Sequence, residues 1–173
     1  MHRTIIAVLG AAACSAPAAA QDFDPAGLDL AAMIRCDMDA RDYNAFAMWF
    51  ATNPDAAARL GWSAADSQNP FLGQYSIETP VEVFGHATRD IAFTSTGPLA
   101  VLKDVAPREL AGTLGVDPMI DTPEKFLGQK ILEEKTEDVG GTTIETTVVL
   151  NVSTVDTHPG ATLAGCSYSV EVK

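Results

Sequence analysis

The tetrapeptide Phe71-Leu72-Gly73-Gln74 returns as Phe126-Leu127-Gly128-Gln129, and the surroundings of the two copies match as well. Leu60-Gly61 stands before the first, after Asn53-Pro54 and an Ala-rich run; Leu114-Gly115 stands before the second, after Ala106-Pro107 and a similar run. Gly85 and Gly140 follow the two phenylalanines at the same distance. Self-similarity of this kind marks a chain assembled from copied supersecondary units. The expectation is a duplicated helix-plus-antiparallel-strands unit, with copies at 53–105 and 106–173 behind an N-terminal helical segment at 21–52. With no linker between the copies, the two should share one compact α+β domain with helices on one face of the sheet.

Residues 1–20 have the three parts of a secretory signal: Arg3, an apolar stretch from Ile5 to Cys14, and the small residues Ala18-Ala19-Ala20. The apolar stretch is too short to span a bilayer. Residues 21–173 are therefore expected to form one globular domain, periplasmic or secreted, without membrane insertion after the signal is removed. Cys14 as a lipidated N-terminus is the competing reading. Ala11-Ala12-Ala13 before it are suitably small, but Leu9 stands five residues ahead instead of three.

Cleavage after Ala20 leaves two cysteines, Cys36 and Cys166. In an exported chain such a pair reads as a disulfide, and closing so long a loop stabilises by roughly 3 to 5 kcal/mol in the chain-entropy view. Two separate buried thiols are the alternative, while zinc requires ligands at closer spacing. The chain carries 11 Lys+Arg against 23 Asp+Glu. That balance argues against nucleic acid and anionic membrane surfaces, both of which demand clustered cations. A basic partner would be steered towards it, although high net charge also simply maintains solubility.

Local patterns fill in the elements. Leu28 to Cys36 predicts a short helix, and Asp39 caps a second in which Tyr43, Phe46, Ala47 and Phe50 form a buried stripe. Asn53-Pro54 opens a third that Gly61 ends, and Pro107 opens a fourth that Gly115 ends. Tyr75, Ile77, Thr79, Val81 and Val83 alternate with polar residues as in a half-buried strand, and Pro80 requires an edge or a bulge there. Asp90–Thr96 and Leu99–Asp104 pair across Gly97-Pro98. Thr122-Pro123-Glu124 reads as a short helical turn ahead of a strand from Gln129 to about Glu137, and Gly140-Gly141 reverses the chain. The last strand points Ala164, Cys166, Tyr168, Val170 and Val172 inward, and His158-Pro159-Gly160-Ala161 before it suits a type II turn.

The chemistry-bearing motifs are thin. His158 with Asp156 could form the acid/base pair of a small hydrolase, but no serine lies in a Gly-x-Ser-x-Gly elbow. Asp37, Asp39 and Asp42 invite a calcium loop, yet Asp42 occupies the glycine position and Met48 the place of the bidentate glutamate. Glu133, Glu134, Glu137 and Asp138 read as a solvated strand end, and His86 as a residue in a connection. Gly112-x-x-Gly115 lacks the Lys-Ser/Thr of a phosphate loop. No cofactor and no metal is expected.

These readings lead to an exported non-enzymatic interaction protein of the cell envelope whose partner is another envelope or extracellular protein. Helix-and-sheet duplications of this sort resemble, in architecture alone, certain exported enzyme inhibitors and small outer-membrane assembly modules. The expected partner surface is the turn Thr157, His158, Pro159 and Gly160, together with Trp62 and Phe84. The hydrolase using His158 and Asp156, and a periplasmic carrier of a small ligand, stand as alternatives.

Overall fold

The computed structural model describes residues 23–173; the expected secretory signal at 1–20 lies outside the described residues. A 3₁₀ turn at Pro25–Gly27 leads into helices α1 (Leu30–Ile34), α2 (Ala40–Thr52) and α3 (Ala56–Arg59). Four strands follow: β1 (Trp62–Ala65), β2 (Gly73–Val83), β3 (His86–Phe93) and β4 (Pro98–Lys103). Helix α4 (Pro107–Leu114) then precedes β5 (Asp117–Asp121), β6 (Phe126–Val139), β7 (Thr142–Ser153) and β8 (Ala161–Val172).

Side-chain caps fix the helix starts. Asp29 Oδ1 accepts the Ala32 N–H at 2.9 Å at the head of α1, and Asp39 Oδ1 accepts the Arg41 N–H at 2.7 Å at the head of α2. Pro107 begins α4, and Gly115, with φ of 65°, ends it in the left-handed conformation. Helix α3 departs from expectation: Asn53 closes α2 instead of opening α3, its amide Nδ2 donating to the Trp49 carbonyl at 2.7 Å. The next helix therefore starts only at Ala56 and lasts four residues.

All eight strands join one antiparallel sheet in the order β1-β2-β3-β4-β8-β7-β6-β5. The fold is mixed α+β, with the sheet dominating. The helices cover one face only. There Ile34, Leu110 and Ala111 meet Leu102, Leu150, Val152 and Ala164, while Met33, Tyr43 and Phe46 meet Ile77, Ile91, Cys166 and Tyr168. The opposite face carries a small apolar cluster at its centre, made of Leu72, Ala92, Leu99, Val101, Ala161 and Leu163, with Val155 packed against it.

Several expectations are corrected. Trp62, expected at a partner surface, begins β1 and pairs with Ile77. Phe84, also expected at that surface, sits with Gly85 in the tight β2–β3 turn, at φ of 54°, and packs against the helix-side core. His86 is the first residue of β3. Residues 122–125 form no helical turn. Thr122 and Lys125 close a hairpin between β5 and β6, Thr122 N donating to Lys125 O at 2.9 Å, so Pro123 serves a turn and not a helix start. Pro80 lies, as its missing N–H requires, at the irregularity of the β2–β3 pairing between Ser76 and Val81.

The two tetrapeptides both lead into long strands, β2 and β6, but their side chains are set differently. Phe71 precedes β2 and is 84% exposed, whereas Phe126 opens β6 and is 3% exposed in the core.

Candidate binding surface

The chain from Thr154 to Gly160 folds back onto the sheet instead of projecting. Phe126 N donates to Thr154 Oγ1, Asp104 N donates to Gly160 O at 3.1 Å, and Ala161 N donates to His158 O at 3.1 Å across the expected Pro-Gly turn, with Gly160 at φ of 74°. His158 is a cross-brace: Nδ1 lies 3.1 Å from Thr157 Oγ1 and Nε2 lies 3.2 Å from Gln74 Oε1 on β2. Both ring nitrogens are thus engaged by residues other than Asp156. Beside them Lys103 Nζ meets Asp90 Oδ2 at 2.7 Å, and this hydrogen bond with the carboxylate raises the lysine pKa above its ordinary value. These groups line an open hollow of about 290 Å³, and Asp156 and His158 border a neighbouring one of about 440 Å³.

The structure does not bring the six expected surface residues together. Trp62 is 7% exposed and belongs to an aromatic cluster under the helices, stacked on Phe93 with centroids 5.6 Å apart and near Phe46 and Phe50. Phe84 also packs on the helix side. Gln74, which holds His158, alternates with Tyr75 and Ile77 along β2 and so looks to the opposite face. The turn Thr157–Gly160 and the two aromatics therefore occupy opposite sides of the sheet.

The acids near the N-terminus resolve into local roles. Asp37 pairs with Arg35 at 2.8 Å, Asp39 caps α2, and Asp42 sits in its first turn. Among the described residues no cluster of three or more metal-ligating side chains occurs.

The surface that sequence reasoning missed lies at the β5 end of the sheet. Strand β5 covers the outer side of β6 only from Phe126 to Gln129. From Lys130 to Val139, β6 pairs with β7 alone among the described residues, so ten residues offer an open backbone edge about 33 Å long. Met119 on β5 is 64% exposed and Ile131 on β6 is 60% exposed, with Ile120 and Leu132 exposed next to them and Val139 exposed at the far end of β6. A register shift between Ile131 and Glu133 makes Leu132 an extra residue in the strand.

Charge on this hairpin is uneven. Glu137 receives Lys135 at 2.9 Å and Arg41 of α2 at 3.3 Å, and the hydrogen bond from Lys135, with Arg41 adding to it, lowers its pKa. Lys173 spans Glu145 and Glu171. Glu133 and Glu134, which follow the extra residue, have no ion-pair partner among the described residues. The signal available in the sequence was the adjacent apolar pair Ile131-Leu132, which breaks strand alternation immediately before the acids.

Comparison with family models, with curated proteins and with solved structures finds no match to this chain.

Proposed function

We propose that this is an exported, non-enzymatic interaction protein of the cell envelope that binds another envelope or extracellular protein, as an inhibitor or an assembly module. The observation that carries this reading is the concentration of exposed apolar side chains, Met119, Ile120, Ile131 and Leu132, where β6 outruns β5 at one edge of a sheet whose helix side carries the core. Contiguous apolar surface rimmed by charge is what a protein-binding patch requires. The disulfide between Cys36 and Cys166 supports an oxidising location, periplasmic or secreted. No helix among the described residues is long and apolar enough to cross a membrane.

Duplication is part of the same proposal. One helix-and-four-strand set ends at β4 and a second at β8, the two meet at that pair, and each tetrapeptide lies at the start of its set's second strand. In this reading the copies diverged at their outer edges. On one side Pro80 sits at an irregularity of β2; on the other, β6 is left open.

The test is affinity capture from the source organism's envelope fraction with the mature protein and with Ile131→Asp/Leu132→Asp. A stoichiometric partner retained by the first and lost by the second, with unchanged thermal melting, is the expected result. Equal capture by both would refute the assignment of the surface. The carrier reading draws on an open cleft of about 580 Å³ between residues 26–31 and 77–81, and native mass spectrometry showing a bound small molecule would favour it.

A further inference from the structure

We infer that the outer edge of β6, from Lys130 to Val139, is a strand-addition site that takes an extended basic segment of a partner protein, alternating cationic and apolar side chains. This rests on the interaction-protein reading and specifies how the partner is held.

The first ground is the backbone. An antiparallel strand leaves alternate N–H and C=O groups pointing away from its neighbour, and an extended peptide satisfies them by adding one more strand. The opposite end of the sheet is arranged to prevent this, since β2 carries Pro80, which has no donor, at a break in its pairing. Nothing comparable covers β6 past Gln129 among the described residues.

The second ground is what the side chains on that edge would meet. Pairing across the sheet places Glu133 opposite Val148, on the helix side, and Glu134 opposite Thr147, on the other. The two uncompensated carboxylates therefore point to opposite faces at the middle of the edge. A partner strand that alternates lysine or arginine with apolar residues sets its cations on the helix side beside Glu133 and its apolar side chains on the other face beside Ile131, which pairs with the half-buried Val149. A second copy of this chain is the weaker occupant, because its formal net charge of −12 repels its own kind.

The probe is a ten-residue peptide of alternating Lys and Val, fluorescently labelled, with an alternating Glu and Val peptide as control. Binding to the full mature protein is read by anisotropy, and its location by amide hydrogen exchange. The Lys/Val peptide should bind, slow exchange within Lys130–Val139, and lose binding when every peptide nitrogen is methylated, which removes the donors of both edges but not the charge. Glu133→Lys/Glu134→Lys should weaken it about tenfold or more. Equal binding of the methylated peptide would reduce the effect to charge attraction and overturn strand addition. Protection at some other segment would overturn the site, and a peptide-free dimer protecting the same amides would overturn the choice of occupant. The methylation experiment uses the native protein, so strand addition is tested even if the charge-reversed variant misfolds. Capture of an envelope partner that ignores Glu133→Lys/Glu134→Lys would sink this edge while leaving the interaction-protein reading intact.

Discussion

A methyl group at position 165 has nowhere to go. Gly165 lies opposite Leu99 across the central β4–β8 pair, where an added Cβ would fall onto the Pro98 carbonyl and 2.8 Å from Leu99 Cα; Gly97, just ahead of β4, answers it, since a Cβ there would meet the Cys166 carbonyl. The obstructing atoms are backbone, which cannot rotate aside. Gly165→Ala should therefore lower unfolding free energy by about 2 to 3 kcal/mol, read as a shifted urea midpoint at unchanged slope. Close by, Tyr168 donates to the Met33 carbonyl at 2.8 Å and stacks on Tyr43 at 4.5 Å. Burial pushes Tyr43 from 10.0 up to about 12, and Tyr168 in the same direction. Below pH 10 both folded and unfolded chains keep these protons; above it the unfolded chain releases them first, so stability should decline from pH 10 to about 12. A phenolate absorbance titration alongside circular dichroism checks this, and tyrosine ionisation complete before any loss of structure would contradict it. The inward placement of Cys166 and Tyr168 was legible from alternation alone. The close approach at Gly165 was not, because nothing local distinguishes a glycine required by a neighbouring strand from any other.

At the level of elements, legibility followed the strength of local signals. Helices α2 and α4 could be read because Asp39, Pro107 and Gly115 mark their ends, and β2 and β8 because alternating residues define a face, although Thr79 on β2 and Val172 at the end of β8, both expected inward, are exposed. The short strands β1 and β5 could not: Trp62–Ala65 and Asp117–Asp121 are too brief to show a period, and they exist because β2 and β6 offer them an edge. Without them the true position of Trp62 was hidden, as was the fact that β6 outruns its outer neighbour at the other end. Buried and exposed strand residues should then respond very differently to substitution. Ile91→Ala, in the fully buried middle of β3, should cost about 2 to 4 kcal/mol by thermal or urea unfolding, whereas Ile131→Asp on β6 should change stability by no more than about 0.5 kcal/mol. A large loss at Ile131 would mean that this side chain serves the fold and not a partner.

For the molecule as a whole, the long-range link is the one that cysteine usage led us to expect. Cys36 and Cys166 are bridged with Cα atoms 5.2 Å apart across 130 residues, tying the end of α1 to an inner strand. Reduction should cost roughly 3 to 5 kcal/mol, measurable as a lower urea midpoint in reductant. The same link explains why a cysteine occupies a backbone conformation that no local pattern announced. Cys36 follows the last residues of α1 at φ of 64°, where a helix ordinarily recruits glycine. A cysteine is tolerated there because the bridge requires a sulfur at that point, and the left-handed backbone costs a side-chain-bearing residue roughly 1 to 2 kcal/mol. The two contributions can be separated. In a Cys166→Ala background, where no bridge can form, Cys36→Gly should be more stable than Cys36→Ala by about 1 kcal/mol, since glycine adopts positive φ without steric cost. Equal midpoints for the two double variants would show that the helix end relaxes once the bridge is gone, so that the disulfide imposes the conformation; a glycine advantage would show that the packing of α1 against β4 and β8 demands the turn by itself.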